Sequence, residues 1–227
     1  MLLEYTIKLV HNHILIDDGQ KLILDTGSPL SFHKYGKISI EENTIAVSQS
    51  LPGINSSYLT NNIGCEIHGL LGMDILKQHP VLISLKDGFM FFDDDNFDNT
   101  FLSANNSQKM GGLIGVEIIL NGRKARMIVD SGAPISYVNN SYTNGTKSKY
   151  IKSDFSPYIG KFQTVIYDCA VDLLVNQKCI MEFGSPPPVL KTMLRQLNVD
   201  GILGVELFKR FRLHIRGGRL HFPPQGI

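Results

Sequence analysis

The sequence predicts a mostly β protein of two lobes related by a pseudo-twofold axis, each lobe a small barrel-like sheet with one or two short helices. The first observation is a repeat in which an apolar run ends at an acidic residue, KLILDTGS at residues 21–28 and RMIVDSGA at residues 126–133. The second is another repeat farther on, HGLLGMDIL at residues 68–76 and DGILGVELF at residues 200–208. Two repeats in the same order mark a duplicated structural unit.

In each copy a short apolar run, typical of a β-strand, delivers an Asp, a small hydroxyl residue and a glycine. Asp25 and Asp130 stand at these strand ends, and Gly27 and Gly132 can take a positive φ without a Cβ clash. A single Asp-Thr-Gly is more typical of an ordinary turn, but four pieces in register favour a paired site. If the strand ends meet across the axis, two carboxylates face each other in one cleft.

The first unit carries strand and turn signals along its length. Residues 5–16 are rich in β-formers, and residues 17–19 (DDG) predict the hairpin turn that feeds the Asp25 strand. A helix is expected to start at residues 55–57 and to end near Gly64. The other expected elements are short strands at residues 30–32, 37–40 and 44–47, a buried strand at 70–72, a helix at 73–78 and a hairpin at 81–92.

A change in composition divides the chain. Residues 93–109 are rich in Asp, Asn and Ser and poor in apolar residues, which predicts a polar linker. We expect an N-terminal lobe at residues 1–97 with the first Asp, a linker at 98–110, and a C-terminal lobe at 111–227 with the second Asp. The second lobe is expected to repeat the first, with a helix at 189–197 and a closing hairpin at 211–222.

The second lobe has extra residues between about Tyr150 and Lys178. They predict a hairpin whose return strand covers residues 161–174, followed by a turn at Asn176 and Gln177. A hairpin present in one lobe only is a natural candidate for a cover over the cleft. Its tip supplies the candidate flap and substrate-contacting residues, which are Ser156, Pro157, Tyr158, Ile159 and Gly160.

Composition excludes several classes of partner. Lys and Arg (22) nearly balance Asp and Glu (21), so nothing indicates a nucleic acid or an anionic membrane as a partner. No apolar run approaches the length of a membrane span. Residues 1–8 lack the pattern of a secretory signal, and the three cysteines match no metal spacing, so we expect a reducing, cytoplasmic location.

Both repeats together resemble the aspartic peptidases of the pepsin and retroviral (retropepsin-like) type, in a small single-chain bilobed form. That family places Asp-Thr/Ser-Gly at the start of a catalytic loop and an apolar-apolar-Gly strand later in each lobe. The resemblance implies the pepsin-like aspartic-protease fold and an aspartic endopeptidase that hydrolyses peptide bonds in a peptide or protein substrate. It also implies a monomer with two pseudo-equivalent lobes, no cofactor and no metal.

The resemblance assigns catalysis to Asp25 and Asp130, which would share a proton because two close carboxylates cannot both ionise; aspartic-protease dyads are the standard case of this effect. Thr26 and Ser131 are then expected to hydrogen-bond across the lobes. In pepsin-like members the flap belongs to the first lobe and carries a Tyr, whereas this hairpin belongs to the second. Tyr158 is the first flap candidate, and an ordinary exposed turn tyrosine is an equal alternative.

Smaller features of the two loops carry further expectations. Gly27 and Gly132 are expected to leave room for the attacking water. Ser28 could donate to Asp25, whereas Ala133 has no hydroxyl to offer Asp130. This asymmetry leads to the hypothesis that the pH range in which the two carboxyl groups share one proton is broad and mildly acidic.

Two alternatives remain beside a general endopeptidase: a processing peptidase of narrow specificity, and a non-catalytic peptide-binding or regulatory module that keeps the fold. His11 and His13 have a spacing that could suit a metal, but with no third ligand evident we expect exposed strand residues.

Overall fold

The computed structural model describes residues 4–40, 42–92, 102–103, 108–110, 112–157, 159–173 and 178–222. These residues form a ten-stranded sheet, an eight-stranded sheet and a separate two-stranded hairpin. The predicted fold class, mostly β with two lobes and short helices, is confirmed. None of the described helices combines the length and the apolar character that a membrane span requires.

The first half of the chain contains nine strands and two helices in the described residues. The strands are β1 (Glu4–Val10), β2 (His13–Asp18), β3 (Gln20–Leu24), β4 (Phe32–His33), β5 (Lys37–Ile40), β6 (Asn43–Ala46), β7 (Gly69–Leu71), β8 (Val81–Ser84) and β9 (Phe89–Phe92). The helices are α1 (Ser56–Ile63) and α2 (Met73–Leu76). The expected strands and helices are all present, with small shifts at their ends.

The rest of the chain repeats this order with a longer central hairpin. Its strands are β10 (Leu102–Ser103), β11 (Gln108–Met110), β12 (Leu113–Leu120), β13 (Arg123–Val129), β14 (Ser136–Val138), β15 (Ser148–Ser156), β16 (Gly160–Asp172), β17 (Lys178–Gly184), β18 (Gly201–Leu203), β19 (Leu213–Arg216) and β20 (Arg219–Phe222). Its helices are a 3₁₀ turn at Asn140–Tyr142, α3 (Pro188–Gln196) and α4 (Val205–Arg210).

Strand pairing shows that the two halves are built alike around their acidic loops. β3 pairs in parallel with β7, and β13 pairs in parallel with β18. β4 and β14 then pair antiparallel with β7 and β18, respectively. Each Asp therefore follows a strand that is flanked by the apolar-Gly strand of its own half.

The lobes also share a sheet. β19 pairs antiparallel with β8, with Leu213 opposite Ile83, so the closing hairpin of the second half extends the closing hairpin of the first. One hydrophobic cluster includes buried residues of both halves, among them Leu24 and Val129 just before the two Asp residues. This continuous apolar packing fixes the position of one loop relative to the other.

Local signals set the limits of α1. The Asn55 side chain accepts a hydrogen bond of 2.8 Å from the Tyr58 N–H, and this cap satisfies a donor that the first turn leaves unpaired. Gly64 ends the helix at φ 82°, a left-handed conformation that favours glycine. The helix predicted from residues 55–57 to Gly64 is confirmed.

The two predicted connections fall mostly or wholly outside the described residues. The predicted linker at 98–110 lies mostly outside the described residues, and its described parts are β10, paired with β20, and β11, paired with β12. The predicted turn at Asn176 and Gln177 also lies outside the described residues. The long hairpin of β15 and β16 is present, and the two strands pair from Ser148 to the tip at Ser156 and Gly160.

Candidate active site

The two acidic loops leave their strands in the same way. The Asp25 N–H donates to the Leu71 carbonyl at 3.0 Å, and the Asp130 N–H donates to the Leu203 carbonyl at 2.9 Å. Each Asp is thus held by the last hydrogen bond of a parallel strand pair, and its side chain points into the space between the lobes. Both carboxyl groups line one cleft, and each packs against the glycine of the opposite loop, so the structure brings the two predicted residues together.

Thr26 and Ser131 form four hydrogen bonds across the lobe boundary. The Thr26 N–H donates to the Ser131 hydroxyl at 2.9 Å, and the Ser131 N–H donates to the Thr26 hydroxyl at 2.9 Å. Each hydroxyl then donates at 2.8 Å to a carbonyl of the opposite strand, Thr26 to Val129 and Ser131 to Leu24. Both side chains are fully buried, so these bonds replace contacts with water that the groups have lost.

Gly27 and Gly132 allow the carboxyl groups to approach. A Cβ on Gly27 would lie 2.2 Å from the Asp130 Cγ, and a Cβ on Gly132 would lie 2.5 Å from the Asp25 Cγ. Any side chain at either position would collide with the opposite carboxyl. Neither glycine has a positive φ, so the expectation of a left-handed turn is wrong and the glycines are needed for close packing instead.

Burial and mutual repulsion change the acidity of the pair. Burial first, and then the charge of Asp130, raise the pKa of Asp25 well above its ordinary value. Burial also raises the pKa of Asp130, against the opposing effect of the hydrogen bonds that it accepts. The pair therefore keeps one proton at a pH where isolated carboxyls have lost theirs, and the two groups titrate as one unit.

Backbone N–H groups stabilise the ionised forms on both sides. The Gly27 N–H donates to Asp25 Oδ1 at 2.9 Å, and the N–H groups of Gly132 and Ala133 donate to Asp130 Oδ1 at 2.9 and 3.1 Å. The Ser28 hydroxyl donates instead to the Leu30 carbonyl at 2.7 Å. The predicted hydroxyl bond from Ser28 to Asp25 is therefore wrong, because the turn after Ser28 offers that hydroxyl a nearer acceptor.

His13 was missed as a site residue. A turn at His11 and Asn12, with φ of 46° and 62°, separates β1 from β2. The expectation of two exposed strand histidines is therefore wrong: His11 lies in the turn, and His13 is only 6% exposed. The His13 ring lies near the Gly132 backbone, which opposes the lowering of the His13 pKa, and packs at 5.9 Å, between ring centroids, against Phe155 of the long hairpin.

The paired carboxyls lie in a cleft of about 440 Å³. Its walls are mostly apolar side chains from both lobes and from α3, among them Leu30, Ile128 and Leu194. The hairpin of β15 and β16 contributes part of the lining as well. Of its predicted tip residues, Ser156, Pro157 and Ile159 line the cleft, Gly160 begins β16 at φ 79°, and Tyr158 lies outside the described residues.

A third carboxylate, Asp154, also lines the cleft and was missed from the sequence. The Tyr137 hydroxyl donates to its Oδ2, and the Phe155 N–H donates to its Oδ1 at 2.8 Å. Burial raises the pKa of Asp154, while these two bonds oppose that rise. Asp154 contacts Tyr137 and the neighbouring Phe155 contacts His13, and no local pattern in the sequence marks either contact.

Within the described ranges, no group of three or more His, Cys, Asp or Glu side chains is arranged to hold a metal ion. The three cysteines are free thiols. The site itself offers two carboxyl groups with raised pKa values beside a mostly apolar cleft.

Neither a protein-family model nor a curated protein matches the sequence. Solved structures with a similar fold include an aspartic proteinase from Irpex lacteus, with 10% identity, a TM-score of 0.48, and coverage of 99% of this chain and 97% of that one. A retropepsin-like aspartic protease from Rickettsia conorii has 17% identity, a TM-score of 0.40, and coverage of 52% and 86%. The protease of Simian Foamy Virus (mac) has 17% identity, a TM-score of 0.30, and coverage of 40% and 88%.

These similar structures are pepsin-like and retropepsin-like aspartic proteases. The likeness is one of fold alone.

Proposed function

We propose that the protein is an aspartic endopeptidase in which Asp25 and Asp130 activate one water for attack on a peptide carbonyl. The observation that carries this proposal is that the two carboxyl groups face each other in one cleft, each packed against the glycine of the opposite loop, and that the pKa of both is raised. A pair that keeps one proton offers a base and an acid in the same place, which is what amide hydrolysis without a metal needs.

The reaction would run through the pair as a unit. The ionised carboxylate takes a proton from the water, whose oxygen attacks the peptide carbonyl. The protonated carboxyl gives its proton to the carbonyl oxygen, and a tetrahedral intermediate forms. Collapse of that intermediate breaks the C–N bond as a proton passes to the leaving nitrogen. Thr26 and Ser131 act as positioning residues, since they hold the loops without contacting the substrate.

The cleft fits an extended peptide with apolar side chains. Its walls are apolar on both sides of the carboxyl pair, and the hairpin tip at Ser156, Pro157 and Ile159 borders it. We propose that this hairpin acts as the flap, excluding water and holding the substrate backbone. We also propose that the lobes at residues 1–97 and 111–227 each supply one carboxyl group, so that a monomer suffices.

A direct test compares the wild-type chain with Asp25→Asn and Asp130→Asn on a denatured protein substrate from pH 3 to 8. We expect cleavage by the wild type and none by either variant. Asp168→Asn is a matched control, because Asp168 is an exposed carboxylate of β16 that pairs with Lys149. A statine-type mimic should block cleavage, since it binds as the tetrahedral state does.

Cleavage that survives either change at the pair would remove the mechanism. Peptide binding without any cleavage by the wild type would instead favour the non-catalytic module.

A further inference from the structure

The cleft has one charged group that the proposed chemistry does not use. Asp25, Asp130 and Asp154 are the charged side chains among the described residues that line it, and its other walls are mostly apolar. Asp154 is half-buried on the long hairpin, and its negative charge is near enough to raise the pKa of Asp130. A substrate that occupies the cleft beside Asp130 therefore also comes close to Asp154.

Asp154 has hydrogen bonds but no opposite charge beside it. Tyr137 and the Phe155 N–H each donate to one of its oxygens, which orients the carboxylate and leaves lone pairs free on both. Among the residues that the structure describes, none forms an ion pair with Asp154. A half-buried carboxylate without a cation is unfavourable, and a ligand cation that reaches it removes that cost.

The nearest lysines do not fill this role. Lys152 and Lys161 line an adjoining cavity of about 610 Å³, which also touches Asp154 and Phe155, and neither lines the cleft itself. The effect of Lys152 on the pKa of Asp154 is the smallest of the four causes, behind burial and the two hydrogen bonds. The cleft side of Asp154 is thus left to a group that the substrate supplies.

We propose that Asp154, oriented by Tyr137, binds a lysine or arginine side chain of the substrate close to the bond that is cut, with apolar residues around it. The proposal rests on the proposed function and names its substrate class. A charge-assisted hydrogen bond in this partly buried place is stronger than a neutral one. Asp154 would therefore select a basic side chain over a neutral one as well as bind it. An acidic residue at the same place meets three carboxylates and is rejected.

The test uses one apolar peptide in which each position in turn carries lysine, norleucine or glutamate. Norleucine matches the lysine chain without its charge. We expect one position at which lysine is favoured over norleucine by about tenfold or more in kcat/KM, the low end for a hydrogen bond to a charged group. In Asp154→Asn, which keeps the shape of the side chain, this ratio should fall to about one. In Asp168→Asn the ratio should remain at its wild-type value.

Dissociation constants of the same peptides, measured by fluorescence anisotropy with the wild type and with Asp25→Asn, separate this inference from the proposed function. If nothing is cleaved but lysine peptides bind about tenfold tighter, and Asp154→Asn removes the difference, the basic subsite stands and the peptidase fails. If peptides are cleaved with no preference for lysine, or with a preference that survives Asp154→Asn, the subsite is overturned alone.

If no peptide binds or is cleaved, both fail. Asp154→Ala serves as a second variant should Asp154→Asn fold poorly by circular dichroism, and it carries the same expectation.

Discussion

Thr26 and Ser131 each satisfy the backbone N–H of the other across the lobe boundary, with both N–H···O distances at 2.9 Å. The exchange is reciprocal, so neither loop can move without breaking a buried bond of the other. It ties together two residues that are far apart in the chain, and it sets where the neighbouring Asp25 and Asp130 stand. The stability of the molecule and the geometry of its site therefore depend on the same bonds.

Thr26→Val should lower the free energy of unfolding by about 3 kcal/mol. The change keeps the side-chain shape but leaves the Ser131 N–H without its acceptor and the Val129 carbonyl without its donor, and each unmet buried group costs about 1–3 kcal/mol. Urea unfolding at neutral pH measures the difference. Thr26→Ser keeps the hydroxyl and is the control; equal stability of the two variants would show that the bonds contribute nothing.

Gly27→Ala should reduce kcat by about a hundredfold, the order expected when a catalytic group is displaced by about an ångström. The new Cβ would lie 2.2 Å from the Asp130 Cγ, so that carboxyl must shift. Gly132→Ala should act in the same way on Asp25, from the opposite side. Single-turnover rates with a peptide substrate check both, and a wild-type rate in either variant would contradict the packing argument.

The duplicated motifs were enough to predict the paired loops and the two-lobed fold, because strand, Asp and glycine signals are local and recur in order. The limits of α1 were predictable for the same reason, since Asn55 and Gly64 act on their own helix. The sequence also predicted the long hairpin of the second lobe, because its extra residues break the repeat.

The contacts between distant segments were not predictable from local signals. His13 is buried because the turn at His11 and Asn12 folds β2 back under the hairpin, and nothing in residues 11–13 records that neighbour. Asp154 depends on Tyr137 in the same way. Ser28 was misassigned because its competing acceptor, the Leu30 carbonyl, is a backbone group that every sequence supplies.

Stability should fall as the pH drops from about 6.5 to about 4, in part because of His13. Burial lowers the pKa of His13 from 6.5 to about 4, so the folded state favours the neutral ring and the unfolded chain binds the proton more readily. At about 1.4 kcal/mol per pKa unit the full effect is about 3 kcal/mol. Urea midpoints at pH 7.5 and pH 4 measure it.

His13→Phe keeps an aromatic ring against Phe155 and removes the titrating group, so its urea midpoint should change less between the two pH values than that of the wild type. His11→Asn, in the adjacent turn, is the control and should keep the wild-type difference. If His13→Phe keeps the wild-type difference in urea midpoint between the two pH values, the pH dependence comes from other groups.

Asp25→Asn should make the protein more stable at pH 7 while it removes the proposed activity. The pKa of Asp25 is raised in the folded state. Its contribution to the stability of the protein is therefore fully present below the unfolded-state pKa of 3.8 and is lost as the pH rises through the folded-state pKa. Asparagine does not ionise, so the variant does not lose stability in this way. The gain in melting temperature over the wild type should therefore be present at pH 7 and shrink toward pH 3, whereas Asp168→Asn on the surface should show no such trend.

Asp154→Asn should move the basic limb of the pH–rate profile to lower pH. The negative charge of Asp154 contributes to the raised pKa of Asp130, so neutralising it lets Asp130 lose its proton sooner. The pH dependence of kcat/KM reports the pKa values of the free enzyme, in which the pair must keep one shared proton. The pH range over which the pair keeps that proton would become narrower at its alkaline end. The profile is measured with a peptide that has no lysine or arginine, which separates this effect from substrate binding at Asp154. A basic limb that stays in place, or that moves to higher pH, would mean that the charge of Asp154 does not reach the pair.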